Sequence, residues 1–202
     1  LTRYTSSVFG DEYRDNFFAA LFNLRKVTRH VLEPNGATFT TRDSDFLVST
    51  NRDFHPTDVI EDADGSLLVV DTGPWYKLCC PTSQIAKPQV LGAIYRVRRT
   101  GAVGLRDPRG RAVPWATATS SDLARLLDGP RPYVQRRVLF QLSKAGAAAV
   151  PALATVIRES RSAEARRNAV WALTRIAGDP ARAGVGFALG RGLTQLALSV
   201  LV

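Results

Sequence analysis

Residues 53–76 read DFHPTDVIEDADGSLLVVDTGPWY. Val59 on one side and Leu67 and Val69 on the other alternate with more polar neighbours around Asp64-Gly65. An Asp-Gly pair supplies the positive φ angles of a tight turn, so the stretch predicts two short antiparallel strands on a two-residue turn. The hairpin is entered through His55-Pro56 and left through Gly73-Pro74-Trp75-Tyr76.

The same pattern of short apolar or alternating runs, punctuated by Gly, Pro, Asp and Asn, extends over residues 1–99 and describes an all-β array. Strands are expected at 17–22, 26–32, 37–41, 46–49, 57–60, 66–71 and 93–98, and the spacing suits hairpin connections. One connection, 72–91, is longer and carries Gly73-Pro74, Cys80-Pro81 and Lys87-Pro88. Loops of that length in compact domains are usually functional or locally ordered excursions. Trp75 and Tyr76 at its start are therefore candidate binding residues, the alternative being that both pack over the end of the sheet.

Beyond Gly101 the character changes. GAVGLRDPRGRAVPW, residues 101–115, is rich in Gly, Pro and Arg, and the segments after it are alanine-rich with helical spacing. A domain boundary is expected near 100–120, with residues 1–110 forming the β region, 111–130 a linker and first helix, and 131–202 helical repeats. Ser121-Asp122 marks a helix start, and Gly129-Pro130 its stop. Helices are expected at 134–145, at 147–159 with Pro151 in the first turn, and at 165–177. A shift of 31 residues places Arg136 on Arg167, Val138 on Ala169, Phe140 on Trp171, Leu142 on Leu173 and Lys144 on Arg175. Repeated helical pairs of about this period are the mark of a solenoid, in which each unit buries its apolar face against the next. The tail, 183–202, is too interrupted by Thr194, Gln195 and Ser199 for the ~20 apolar residues of a membrane span.

The chain has 202 residues, 45% hydrophobic and 22% charged, which is ordinary globular composition. It starts at Leu1, has no Met and shows no signal-peptide pattern, so an upstream portion is expected. Cys79 and Cys80 are adjacent, a poor geometry for a disulfide, and His30 and His55 lie far from them in sequence, so no metal site is expected. The net charge of +9 is uneven: residues 1–110 hold 14 basic and 13 acidic residues, residues 111–202 hold 13 and 5.

Taken in order, Lys26-Val27-Thr28-Arg29-His30, Phe54-His55-Pro56-Thr57-Asp58-Val59, Asp64-Gly65-Ser66-Leu67, Val70-Asp71 and Gly92-Ala93-Ile94-Tyr95-Arg96-Val97 resemble the last blades of a glucose/sorbosone dehydrogenase-type β-propeller. The resemblance is to the planctomycete-type membrane-bound dehydrogenase or PVC-type haem-binding protein family, in which HEAT-like repeats and often a cytochrome c domain follow the propeller. It implies a β-propeller fragment of about two blades followed by an α-helical HEAT-like solenoid. It further implies a periplasmic or extracellular parent with pyrroloquinoline quinone (PQQ) and calcium as possible cofactors, and a cytochrome c domain or other electron acceptor as partner. The missing N-terminal blades would be a further partner, and the fragment alone would be inactive. No CxxCH haem motif is present.

On this reading His55, at a strand entry, is the candidate proton acceptor, because histidine titrates near neutral pH. The alternative is a hydrogen bond to a neighbouring blade. Asp58 is a candidate contact or a cap for backbone amides. Arg29 and His30 are neighbours on a strand, so alternation sends them to opposite faces. A guanidinium at Arg29 suits the carboxylates of a quinone, against a salt bridge to Asp43, Asp45 or Asp53. Asp62-Ala63-Asp64-Gly65 resembles the start of a calcium loop but lacks the later ligands, which leaves turn chemistry.

The arginines of the second half raise the possibility of nucleic acid. Phe140 and Trp171 are expected on the buried face of the repeat, which removes the aromatic interleaving that base stacking needs. No nucleic-acid partner is expected. Two functions remain: a piece of a quinoprotein-like sugar or alcohol dehydrogenase whose repeats dock a partner or electron acceptor, or a non-catalytic scaffold binding glycans or proteins.

Overall fold

The computed structural model describes residues 1–73, 87 and 89–178. The chain divides into two compact units, Leu1–Arg106 and Asp107–Val202.

The first unit holds seven strands in two antiparallel sheets among the described residues. β1 (Thr2–Arg3), β2 (Phe17–Leu21), β3 (Lys26–Asn35) and β4 (Thr38–Val48) form one sheet in that order; β5 (Pro56–Glu61), β6 (Leu67–Asp71) and β7 (Ala93–Val97) form the other. Both are meanders in which each strand pairs with the next. β5 packs against β1, β2 and β3. The core between the sheets contains Tyr4, Phe9, Phe18, Val27, Phe54, Val59, Leu67 and Val69. Burying a side chain of this size contributes about 1.5–3 kcal/mol, and alternation along β6 puts Leu67, Val69 and Asp71 on the buried face.

Three sequence expectations change here. The hairpin of residues 53–76 has a five-residue connection, because its ladder closes at Glu61–Leu67 and Asp62 N–H donates to Ser66 O at 2.9 Å. Within this connection, residues 62–66, only Gly65 takes a positive φ, +80°, and the side chains of Asp62 and Asp64 accept from the amides of Ala63 and Ser66. These local carboxylate bonds hold a wider turn than Asp-Gly alone specifies. Second, the expected strands 37–41 and 46–49 are one strand, β4. Asp43-Ser44-Asp45 reads as a break, yet these residues stay in the ladder, with Asp43 opposite His30 and Asp45 bonded to Lys26 Nζ at 2.6 Å. Third, β1 is too short to show a period and carries no sequence signal.

The second unit begins with α1 (Ser120–Ala124), capped by a reciprocal Thr119–Asp122 box, with its N-cap two residues before the Ser121 start that the sequence suggests. α2 (Pro132–Ala145) opens on a proline, α3 (Val150–Glu159) carries Pro151 in its first turn, and α4 (Ala163–Ala177) is capped by Ser162. Between α2 and α3, Gly146 adopts φ +64°, ψ −136°, which ends the first helix. Leu127, Val134, Val138, Leu142, Leu153 and Leu173 are among the residues that fill the core. The buried Asn168 amide donates to Leu127 O at 2.6 Å.

The 31-residue correspondence is seen in burial at Val138 and Ala169, and again at Leu142 and Leu173. Phe140 and Trp171 correct the expectation. They are 60% and 57% exposed, on the side of their helices away from the core. At 100° per residue, position 140 lies nearly opposite position 138. The apolar residue types there say nothing about which face they occupy.

Candidate functional site

The alternation of β3 separates Arg29 from His30. His30 shares its face with Thr28, two residues earlier, and with Asp43 across the ladder. Its Nδ1 lies 2.8 Å from Asp43 Oδ1 and its Nε2 lies 2.8 Å from Thr28 Oγ1. Thr28 Oγ1 is also 3.4 Å from Ala19 O. Two proton arrangements satisfy this chain. In a neutral ring Nδ1–H donates to Asp43 and Nε2 accepts from the Thr28 hydroxyl. In a charged ring Nε2–H donates to Thr28, whose hydroxyl turns to Ala19 O. The His30 contact is the main influence holding the Asp43 carboxyl below its ordinary value.

Arg29, on the opposite face, is held by three groups. Nε donates to Asn16 Oδ1 at 2.5 Å, Nη2 donates to the Glu12 carbonyl, and the guanidinium carbon lies 4.0 Å from the Tyr13 ring centroid. None is the acidic partner expected from sequence: Asp43 pairs with His30, Asp45 with Lys26, and Asp53 with Lys87. Beside Tyr13 a cleft of about 260 Å³ is lined by Phe9, Phe46, Glu12, Arg98 and Arg99 among others. Arg99 reaches Glu12 Oε1 at 3.1 Å and donates to the Phe9 carbonyl. Sequence reading missed this cleft, because Phe9, Tyr13 and Phe46 come from separate segments that only the fold collects.

His55 sits between β-segments on the other sheet. Its ring lies 4.5 Å from the Phe22 ring centroid. Its Nδ1 is 3.2 Å from Asp53 O and 3.1 Å from Gly73 O. Carbonyl oxygens only accept, so Nδ1 carries the proton and Nε2 is the basic nitrogen of the neutral ring. The backbone is fixed as well: Asp71 Oδ1 accepts from the amides of His55 at 2.8 Å and Gly73 at 2.9 Å. Asp58 follows a bulge in β5 and accepts from Val59 N–H at 2.8 Å. Among the described residues Arg29, His30, His55 and Asp58 thus hold separate sets of partners. Trp75, Tyr76, Cys79 and Cys80 lie outside the described residues.

A second charged cluster closes the β5–β6 turn. Arg96 Nη1 lies 2.7 Å from Asp62 Oδ2 and 2.5 Å from Ser66 Oγ, and Arg98 Nη2 lies 3.3 Å from Asp64 Oδ2. Burial opposes ionisation of Asp64, but the hydroxyl and amide of Ser66, with Arg98 and Arg96, outweigh it and hold the carboxyl below its ordinary value. These carboxylates are neutralised by guanidinium groups and turn amides, which does not suit a calcium ion needing several oxygen ligands. Among the described residues no group of three or more His, Cys, Asp or Glu side chains is placed to hold a metal. The Asp62–Asp64 turn therefore does not fit calcium. Of the Arg29 donors, Nε and Nη2 are taken up inside the protein by Asn16 and Glu12, so its side-on fork is already engaged.

Next to this cluster the segment 4–9 is tied down. The Glu61 carboxylate, 7% exposed, accepts from Thr5 N at 3.0 Å, Thr5 Oγ1 at 2.7 Å and Ser6 N at 2.7 Å. Tyr4 hydroxyl donates to Gly65 O at 2.7 Å and accepts from Phe9 N at 3.1 Å. Burial foremost pushes the Tyr4 phenol up to about 12.

Two antiparallel meanders followed by a helical region define an all-β unit with a C-terminal α unit. The chain belongs to the family of the domain of unknown function DUF7133, whose model matches residues 1–101. None of the curated proteins and none of the solved structures matches the chain.

Proposed function

We propose that the two sheets are blades of a β-propeller of the glucose/sorbosone dehydrogenase type, that the helical unit is a HEAT-like module, and that this chain serves docking while carrying no cofactor. The architecture is supported by two successive antiparallel meanders with the first strand of the second packed on the first sheet. Closed propellers use about 4–8 such sheets, so these two are part of a ring. The observation that carries the docking reading is the commitment of Arg29. A side chain suited by type to a quinone carboxylate is held by Asn16, Glu12 and Tyr13.

The test uses the polypeptide that carries these blades, titrated with PQQ in calcium buffer and assayed for dye reduction with a panel of sugars. Arg29→Lys keeps the charge and removes the fork. The docking reading expects the quinone titration and dye reduction of this variant to match the unsubstituted protein within about twofold. A tenfold or larger loss of quinone affinity, on the order of 1.4 kcal/mol, would place Arg29 on the cofactor and overturn it.

A second reading, participation in alcohol or hemiacetal oxidation, is favoured by His55. Two carbonyls fix Nδ1 as the donor and make Nε2 the nitrogen able to take a hydroxyl proton. His55→Gln would then lower turnover by about 10²-fold or more; unchanged turnover would remove His55 from that role.

A further inference from the structure

The 31-residue repeat has a second, outward pattern. On α2, Arg136, Phe140 and Lys144 are spaced i, i+4, i+8; on α4, Arg167, Trp171 and Arg175 repeat it. All six are exposed, and residues at this spacing lie along one face of a helix. The buried line of α2, Val134, Val138 and Leu142, is on the opposite side. α2 and α4 pack together, and the hydrogen bond from Gln135 Nε2 to Glu164 Oε1, 3.1 Å, joins their first turns. Corresponding positions therefore form three rows across the pair: basic, aromatic, basic.

We infer that these rows are a docking surface for an amphipathic acidic helix of a partner protein, lying across α2 and α4 with its apolar stripe on Phe140 and Trp171. The inference rests on the docking reading and specifies its ligand. Eight residues of helix separate the two basic rows by about 12 Å, which matches the ~10–12 Å width of a helix with its side chains. A helix with carboxylates on both margins of an apolar stripe meets a guanidinium or ammonium group on each side. Single-stranded nucleic acid matches the rows less well, because its phosphates run along one edge of the stacked bases. The charge balance of residues 111–202, 13 basic residues against 5 acidic, favours an acidic ligand. Glu164 pairs with Arg167 at 3.6 Å, an exposed contact of the kind that exchanges readily with solvent and other partners.

The test is fluorescence anisotropy with the full chain and a labelled 18-residue helical peptide bearing a Leu stripe flanked on both sides by Glu. Three controls accompany it: a scrambled peptide of the same composition, a 20-nucleotide oligo-dT, and the variants F140A/W171A and R136E/K144E. Circular dichroism verifies that the variants fold. The expected result is salt-sensitive binding of the patterned peptide, weakened about tenfold or more by scrambling and by each double variant. Binding unmoved by both variants would overturn the ridge while leaving a docking role elsewhere on the chain. No binding of either peptide would overturn the ridge and count against the docking reading as well. Oligo-dT binding tighter than the peptide and lost in F140A/W171A would assign the rows to nucleic acid and overturn the protein-helix proposal.

Discussion

Gly65 carries φ +80°, and a Cβ built on it would lie 2.6 Å from Val8 Cγ2 and 2.7 Å from Ser6 Oγ. Both the backbone angle and the crowding oppose a side chain, so Gly65→Ala is expected to destabilise the protein by about 1–3 kcal/mol in urea unfolding. A loss below half a kcal/mol would show that segment 4–9 is not seated on the turn. Charge at single residues sets the pH limits. The folded Asp43 carboxyl titrates below the 3.8 of an ordinary aspartate, chiefly through its hydrogen bond with His30. Its contribution is therefore fully present above 3.8 and is lost as pH falls through the lower folded value. Asp43→Asn should flatten the acid limb of the stability curve measured below pH 4; an unchanged limb would mean that the His30 contact does not persist in solution. Tyr4 behaves oppositely. Its folded phenol is raised from 10.0 to about 12, mainly by burial, so its contribution is fully present below 10 and is lost as pH rises toward 12. Absorbance titration should find one tyrosine that ionises only as the fold opens, and Tyr4→Phe should remove that late step.

At the scale of elements, legibility followed the strength of each period. β6 and the helices were visible because Leu67, Val69 and the i, i+4 series Val134, Val138, Leu142 follow their natural spacing. The sequence divides β4 in two because Asp43 and Asp45 are turn-forming residues whose cross-strand partners, His30 and Lys26, come from β3, a contact sequence order hides. The hairpin was recognised but its turn was not, since the hydrogen bonds of Asp62 and Asp64 depend on where the ladder closes. Candidate site residues were legible as types only: His55 was singled out, yet the carbonyls that fix its tautomer come from residues 53 and 73. The cap of α1 matters more than its length suggests. With five residues, this helix depends on the Thr119–Asp122 exchange, in which Thr119 Oγ1 accepts from Asp122 N at 3.2 Å. Thr119→Ala should cost about 1 kcal/mol, and thermal unfolding of the variant with no shift in midpoint would show that tertiary packing alone holds α1.

For the whole molecule, the family match ends at residue 101 and the β unit closes at Arg106. The division into units predicts that limited trypsin cleaves first among Arg98, Arg99 and Arg106, leaving two resistant fragments; simultaneous loss of both fragments would show that neither unit resists on its own. One backbone angle has a larger consequence. Residues 132–159 form a 28-residue stretch long and apolar enough to cross a bilayer by length and composition. A translocation channel reads a nascent segment by those same properties. Gly146, at φ +64°, breaks the stretch into α2 of 14 residues and α3 of 10. At 1.5 Å per residue these are rods of about 21 and 15 Å, each short of the ~30 Å hydrocarbon core. A single glycine thus gives the folded protein an elbow where an unbroken helix would be a candidate anchor.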